Sequence, residues 1–162
     1  MQKRRLTGAA WDRISMGSES SDGLGSAAEG VCVFLAGLGI GRTSAIHLIG
    51  RQALGPLLWL CRHGFDEVTA LTGDCMPSEP ADLLVSLDTQ GTAAFDRLAS
   101  DMPHVKPGGL IIVRTCRRRR DRERAKRLLG REGFRIERRL HQGRREVYVA
   151  RREPVIAAVA AR

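Results

Sequence analysis

Between Val31 and Ser44 the chain reads VCVFLAGLGIGRTS, and this stretch limits the fold more than any other. Val31, Cys32, Val33, Phe34 and Leu35 form a short apolar run, rich in β-branched and aromatic side chains and free of charge. Such a run suits a strand buried on both faces of a parallel sheet. Gly37, Gly39 and Gly41 follow at alternate positions, and Arg42, Thr43 and Ser44 lead into AIHLIG, where a helix can start. Glycine permits a tight turn and close approach of backbone to a ligand, and a helix N-terminus offers N–H groups with no intrahelical partner. The stretch therefore predicts a strand, a glycine loop and a helix arranged to bind a ligand. A plain tight turn that binds nothing is the simpler alternative for the same residues.

Strand and helix patterns alternate through the rest of the chain. Ala45, Ile46, Leu48 and Ile49 give a helical apolar face, which Gly55-Pro56 interrupts before a second helical piece from Leu57 to His63, closed by Gly64. His47 and His63 thus both fall on helices, with no partner residue in view. FDEVTAL, from Phe65 to Leu71, reads as the second strand, TGDCMPSEP as a loop, and ADLLVSL, from Ala81 to Leu87, as the third strand. Ala94, Phe95, Leu98 and Met102 recur at helical spacing, which predicts an amphipathic helix over Thr92 to Met102. HVKPGG is read as a turn feeding a fourth strand, LIIVRT, and Arg117 to Arg131 as a highly charged helix. Phe134 to Leu140 and Glu146 to Arg151 then form an antiparallel hairpin around Gly143. The expected fold class is α/β, a mostly parallel sheet between helical layers that ends in this hairpin. Residues 1–29, Gly/Ser-rich in part, read as an extension and linker, 30–152 as the domain and 153–162 as a tail. Leu6, Trp11 and Ile14 mark one helical turn that can dock on the domain.

A chain of 162 residues makes one domain of this size. No apolar run approaches the roughly 20 residues that span a bilayer, and the basic start MQKRR has no hydrophobic core behind it, so no membrane association and a cytoplasmic location are expected. Cys32, Cys61, Cys75 and Cys116 are far apart and lack metal-ligand spacing, which predicts free thiols and no metal. The net charge of +9 is concentrated: Arg114 to Arg152 contains seventeen Arg or Lys residues against five Asp or Glu. Such a field attracts anionic partners, with Arg117, Arg118, Arg119 and Arg120 as the candidate nucleic-acid contacts. A solvated arginine-rich helix is the alternative, because no aromatic residues are interleaved for base stacking.

Three segments together resemble those of class I S-adenosylmethionine-dependent methyltransferases, over about Gly30 to Arg152. LAGLGIGR is similar to the glycine motif after the family's first strand, ADLLVSLDTQG to its fourth strand, and HVKPGGLIIVRT to its turn and fifth strand. The terminal hairpin resembles the reversed seventh strand that sets this fold apart from dinucleotide-binding domains. The resemblance implies a Rossmann-like three-layer sandwich with a pocket at the carboxyl edge of the sheet. It implies that Gly37, Gly39 and Gly41 pack against S-adenosylmethionine or S-adenosylhomocysteine, with Ser86 and Leu87 near the cofactor. Asp88 is the implied acid or base for methyl transfer, with capping of the following helix as its alternative role. Three departures accompany the match. Leu35 stands where the family carries an acidic residue before the first glycine. FDEVTAL runs into Thr72, so that Asp74 must serve the ribose side from a loop. The interval from Leu71 to Asp82 is short, so the sheet is trimmed, and if VTALTGD is instead the third strand the second is lost or reduced to LLWLC. The expected function is a methyltransferase of unspecified acceptor, or a methyltransferase-like domain that binds without turnover. A nicotinamide-dinucleotide site fits less well, because a Gly-x-Gly-x-x-Gly frame from Gly37 puts Arg42 at its third glycine. Homodimerisation that rebuilds the trimmed edge stays open.

Overall fold

The computed structural model describes residues 24–72, 78–116, 118–142 and 145–154. In chain order the elements are α1 (Leu24–Gly37), β1 (Ile46–Ile49), α2 (Leu54–Arg62), β2 (Val68–Leu71), β3 (Ala81–Thr89), α3 (Gly91–Asp101), a 3₁₀ turn (Met102–His104), β4 (Val105–Thr115), α4 (Arg119–Arg131), β5 (Phe134–Gln142) and β6 (Arg145–Arg152). Leu6, Trp11, Ile14, Asp74, Cys75, Arg117 and Gly143 lie outside the described residues.

The six strands form one sheet in the order β2-β1-β3-β4-β6-β5. β2, β1, β3 and β4 are parallel, and β6 is antiparallel to both β4 and β5. Period-2 alternation sends successive residues of each strand to opposite faces. Leu83, Val85 and Leu87 of β3, with Leu110 and Ile112 of β4, pack in one core beside Phe34 and Leu35 of α1 and Leu60 of α2. Leu84, Ile111, Val113 and Tyr148 face the other way, against Phe95 and Leu98 of α3 and Leu128 and Leu129 of α4. The result is the three-layer α/β sandwich with an antiparallel terminal hairpin that the sequence predicts.

The opening stretch is a correction. VCVFL is not a strand but the second half of α1, a helix that also takes in Leu24 to Glu29 of the expected linker. Val31, Phe34, Leu35 and Leu38 are buried whereas Val33 is 67% exposed, a spacing of three and four that only a helix produces. Tertiary packing of that stripe overrides the β preference of its residues. The first strand is instead IHLI, four residues buried on both faces between β2 and β3, so His47 lies on a strand and not on a helix. The glycines close α1. Gly39, at φ +84°, donates its N–H to Ala36 at 2.9 Å and the Ile40 N–H reaches the Leu35 carbonyl at 3.0 Å, the bonding of a Schellman cap. LLWLC is likewise helical, within α2, and Pro56 sits in its first turn.

The amino edge is tied by Asp82, whose carboxylate accepts from the Ala45 N–H and from Lys106 Nζ, each at 2.8 Å. Lys106-Pro107-Gly108-Gly109 belongs to β4 and not to a turn before it. There the register with β3 jumps from Ala81↔Val105 to Leu83↔Leu110, so β4 bulges. The β5 edge of the sheet is charged, with Arg135, Arg138 and Arg139 exposed.

Two outcomes are expected. A Cβ on Gly109 would lie 2.8 Å from the Lys106 carbonyl oxygen and 2.8 Å from Val105 Cγ1, so Gly109→Ala should lose about 1–3 kcal/mol in urea unfolding. His47 is 5% exposed, and burial lowers its pKa from 6.5, opposed by Asp101 and aided by His104 and Lys106. The unfolded chain then takes up this proton first, so stability falls as pH drops below about 6.5. Unfolding series between pH 8 and 5 should show a shallower loss for His47→Leu than for the native chain.

Candidate functional site

β1 ends in a turn, Gly50-Arg51-Gln52-Ala53, in which the Ala53 N–H donates to the Gly50 carbonyl at 3.3 Å. Gly50 has φ +125°, a conformation that L side chains rarely adopt. A strand tip, a glycine turn and a helix thus do follow one another, but one strand later than the sequence reading placed them. From β1 the chain goes outward through α2 to β2, then returns to β3 on the other side of β1. That reversal opens a crevice at the carboxyl ends of β1 and β3.

A cleft of about 690 Å³ lies there, walled by Ile49, Gly50 and Arg51 from β1 and its turn, Leu71 of β2 with Thr72 just after it, Ser86 of β3, and Gln90 at the N-cap of α3. Ala93, Ala94 and Arg97 of α3 close one side. Arg97 is held by a 2.7 Å ion pair to Asp101, a buried carboxylate in the last turn of the same helix. Among the described residues of the cleft the charged groups are Arg51 and Arg97, and neither a carboxylate nor a histidine lines it. Leu48, buried, occupies the place two residues before Gly50, and Thr72 follows β2.

The predicted site residues therefore separate. Ser86 lines the cleft, and Leu87, next to it, is packed into the core with its carbonyl accepting from Arg114 Nε at 2.9 Å. Asp88 lies at the tip of β3, within the register shift between Ser86 and Thr89. Gly37, Gly39 and Gly41 lie at the far, amino edge, because they precede β1 and cap α1. The structure does not bring them together with Ser86. Asp74 falls outside the described residues. Gly50, Arg51 and Gln90 were missed. Their signal was Gly50 after an apolar run and ahead of Gly55-Pro56, which the helical reading of AIHLIG hid.

A second cavity, of about 490 Å³, adjoins the first through Gln90 and is lined further by Gly91, Cys116, Arg118, Asp121 and Arg145. The Cys116 thiol donates to Asp121 Oδ2 at 2.5 Å. Burial, then this hydrogen bond, pushes the thiol above its ordinary pKa, so at neutral pH it stays protonated and is a poor nucleophile. The hydroxyl of Tyr148 and Arg122 both bond Glu146, the latter at 2.9 Å. Among the described residues no group of His, Cys, Asp or Glu is arranged to hold a metal ion, Cys32, Cys61 and Cys116 are free thiols, and no helix is long and apolar enough to cross a membrane.

No protein-family model matches the chain, and no curated protein sequence does. Solved structures do. The precorrin-6y C5,15-methyltransferase of Geobacter metallireducens GS-15 superposes with a TM-score of 0.53 at 12% identity, over 77% of this chain and 88% of that one. The ribosomal protein L11 methylase of Lactobacillus delbrueckii subsp. bulgaricus gives 0.51 at 10% identity, over 78% of each. The N-methyltransferase NodS of Bradyrhizobium japonicum WM9, in complex with S-adenosyl-L-homocysteine, gives 0.50 at 10%, over 91% of this chain and 98% of that one. With the order β2-β1-β3-β4-β6-β5 among the described residues and the reversed β6, the chain has the fold of the class I S-adenosylmethionine-dependent methyltransferases.

Proposed function

We propose that the cleft at the tips of β1, β2 and β3 binds S-adenosylmethionine and that the protein is a methyltransferase. The observation that carries this reading is the place of the cleft: the switch point of the sheet, beside a glycine of positive φ at the tip of the first strand. Its volume lies within the roughly 300–1,000 Å³ of small-molecule sites. NodS, with a similar fold, is known with S-adenosyl-L-homocysteine bound, which supports the choice of ligand. In this reading Gly50 and Ser86 let the cofactor approach the backbone and the β3 tip, and the Gly37, Gly39 and Gly41 loop takes no part.

Methyl transfer is a displacement at a sulfonium carbon, so the chain's task is to align the acceptor with the methyl group and, where needed, remove a proton. Asp88 is the acid or base of this reading, by its position at the tip of β3. A second reading, a methyltransferase-like domain that binds without turnover, is favoured by one observation. Thr72 stands after β2 where the resemblance calls for a carboxylate, and with Gly50 taken as the first glycine of the site the residue two places before it is Leu48, again not an acid.

Calorimetric titration with S-adenosylhomocysteine tests the binding step. Micromolar affinity is expected for the native chain. Ala93→Trp, which puts an indole into the cleft from an exposed position, should abolish it without loss of thermal stability. A folded native sample that gives neither heat nor a thermal shift rules the proposal out.

A further inference from the structure

The start of α4 is built against its own electrostatics. A helix N-terminus carries partial positive charge and disfavours cations by about 0.3–1 kcal/mol each. Yet Arg118 is the N-cap and Arg119 and Arg120 open the first turn, all exposed, and Arg118 makes no capping hydrogen bond through its side chain. None of the three forms an ion pair among the described residues, whereas further along α4 and the hairpin Arg122, Arg124, Arg131 and Arg151 all pair with carboxylates. Asp121, the one acid of that turn, already accepts the Cys116 thiol proton on Oδ2. The cost of this arrangement falls if an anion is bound there.

The second cavity gives that anion a place. Arg118 and Arg145 reach it from different elements, the N-cap of α4 and the first residue of β6. Guanidinium groups hold phosphate through paired N–H donors, and the open amides of a first helical turn add to the same site. The cavity shares Gln90 with the cleft, so a group held in it lies next to the place of methyl transfer.

We infer that the methyl acceptor carries a phosphate, bound in this cavity by Arg118 and Arg145. The word acceptor rests on the methyltransferase reading; the phosphate site does not. Two sources supply that chemistry, a small phosphate ester and a nucleic-acid strand, and the experiment separates them.

The probe is a fluorescein-labelled twelve-nucleotide oligoribonucleotide, followed by anisotropy at 50 and 200 mM salt with uridine monophosphate as unlabelled competitor. The native chain should bind it with a steep salt dependence. Arg118→Ser/Arg145→Ser should bind about tenfold more weakly, with a salt slope lower by roughly one per arginine removed. Arg118→Lys/Arg145→Lys should recover part of the affinity. Arg127→Ser/Arg135→Ser removes equal charge from exposed positions away from the cavity and should bind within about twofold of the native chain. Displacement by micromolar mononucleotide identifies a small ester as the source, and resistance to it identifies a strand. Absence of binding at 50 mM salt, or equal loss in the two serine variants, overturns the inference. S-adenosylhomocysteine titrated into the same samples keeps the two readings apart. Arginine-dependent oligonucleotide binding without S-adenosylhomocysteine binding leaves the phosphate site standing while the methyltransferase reading falls.

Discussion

β3 and β4 bury apolar side chains on both faces, so neither helical layer can be stripped off without exposing a row of them to water. Hydrophobic stabilisation grows with the apolar area removed from water, and these two strands collect it twice over. Everything functional hangs from that arrangement. Because the centre of the sheet is dry on both sides, its central strands meet solvent mainly at their ends. The parallel direction of β1 to β4 then makes the two ends unlike each other. Asp82, shared between the Ala45 amide and Lys106, closes the amino end. The carboxyl end stays open, with a glycine turn, a bulged β3 tip and two arginine-bearing cavities.

Legibility followed the strength of the local pattern. Thr92 to Met102, the charged helix and the terminal hairpin all carry period or turn signals strong enough to stand alone, and among the described residues they are found as Gly91–Asp101, Arg119–Arg131, Phe134–Gln142 and Arg145–Arg152. β1 carries none. IHLI is four residues, buried on both faces, and such a segment shows no alternation to tell a strand from part of a helix. VCVFL has strand-forming residues and failed for the opposite reason. Its buried positions, read over a longer window to Leu38, repeat as a helix does, and that repeat outweighs the composition of any five residues.

The site was half readable for the same cause. Ser86 was reached because β3 was recognised from its own pattern and its resemblance to the family's fourth strand. The strand–glycine–helix pattern of the candidate site falls one element later than the sequence suggests, since a Schellman cap and the turn after β1 both use glycine for the same freedom at positive φ. Only the packing of α1 and the position of Gly50 between β1 and α2 separate them. The cavity between Arg118 and Arg145 was out of reach of any spacing argument. Its walls come from α3, α4 and β6, which the sheet order alone brings side by side.

The two edges of the sheet offer unequal terms to a second copy of the chain. β2 exposes a backbone of four residues, enough for only a short ladder. β5 is nine residues long, but Arg135, Arg138 and Arg139 face solvent along it. Two copies aligned along β5 would set guanidinium rows against each other, and like charges across a strand pair repel. A chain with an arginine-lined outer strand is thus protected from stacking edge to edge into fibrils by the same residues that give its C-terminal half its charge.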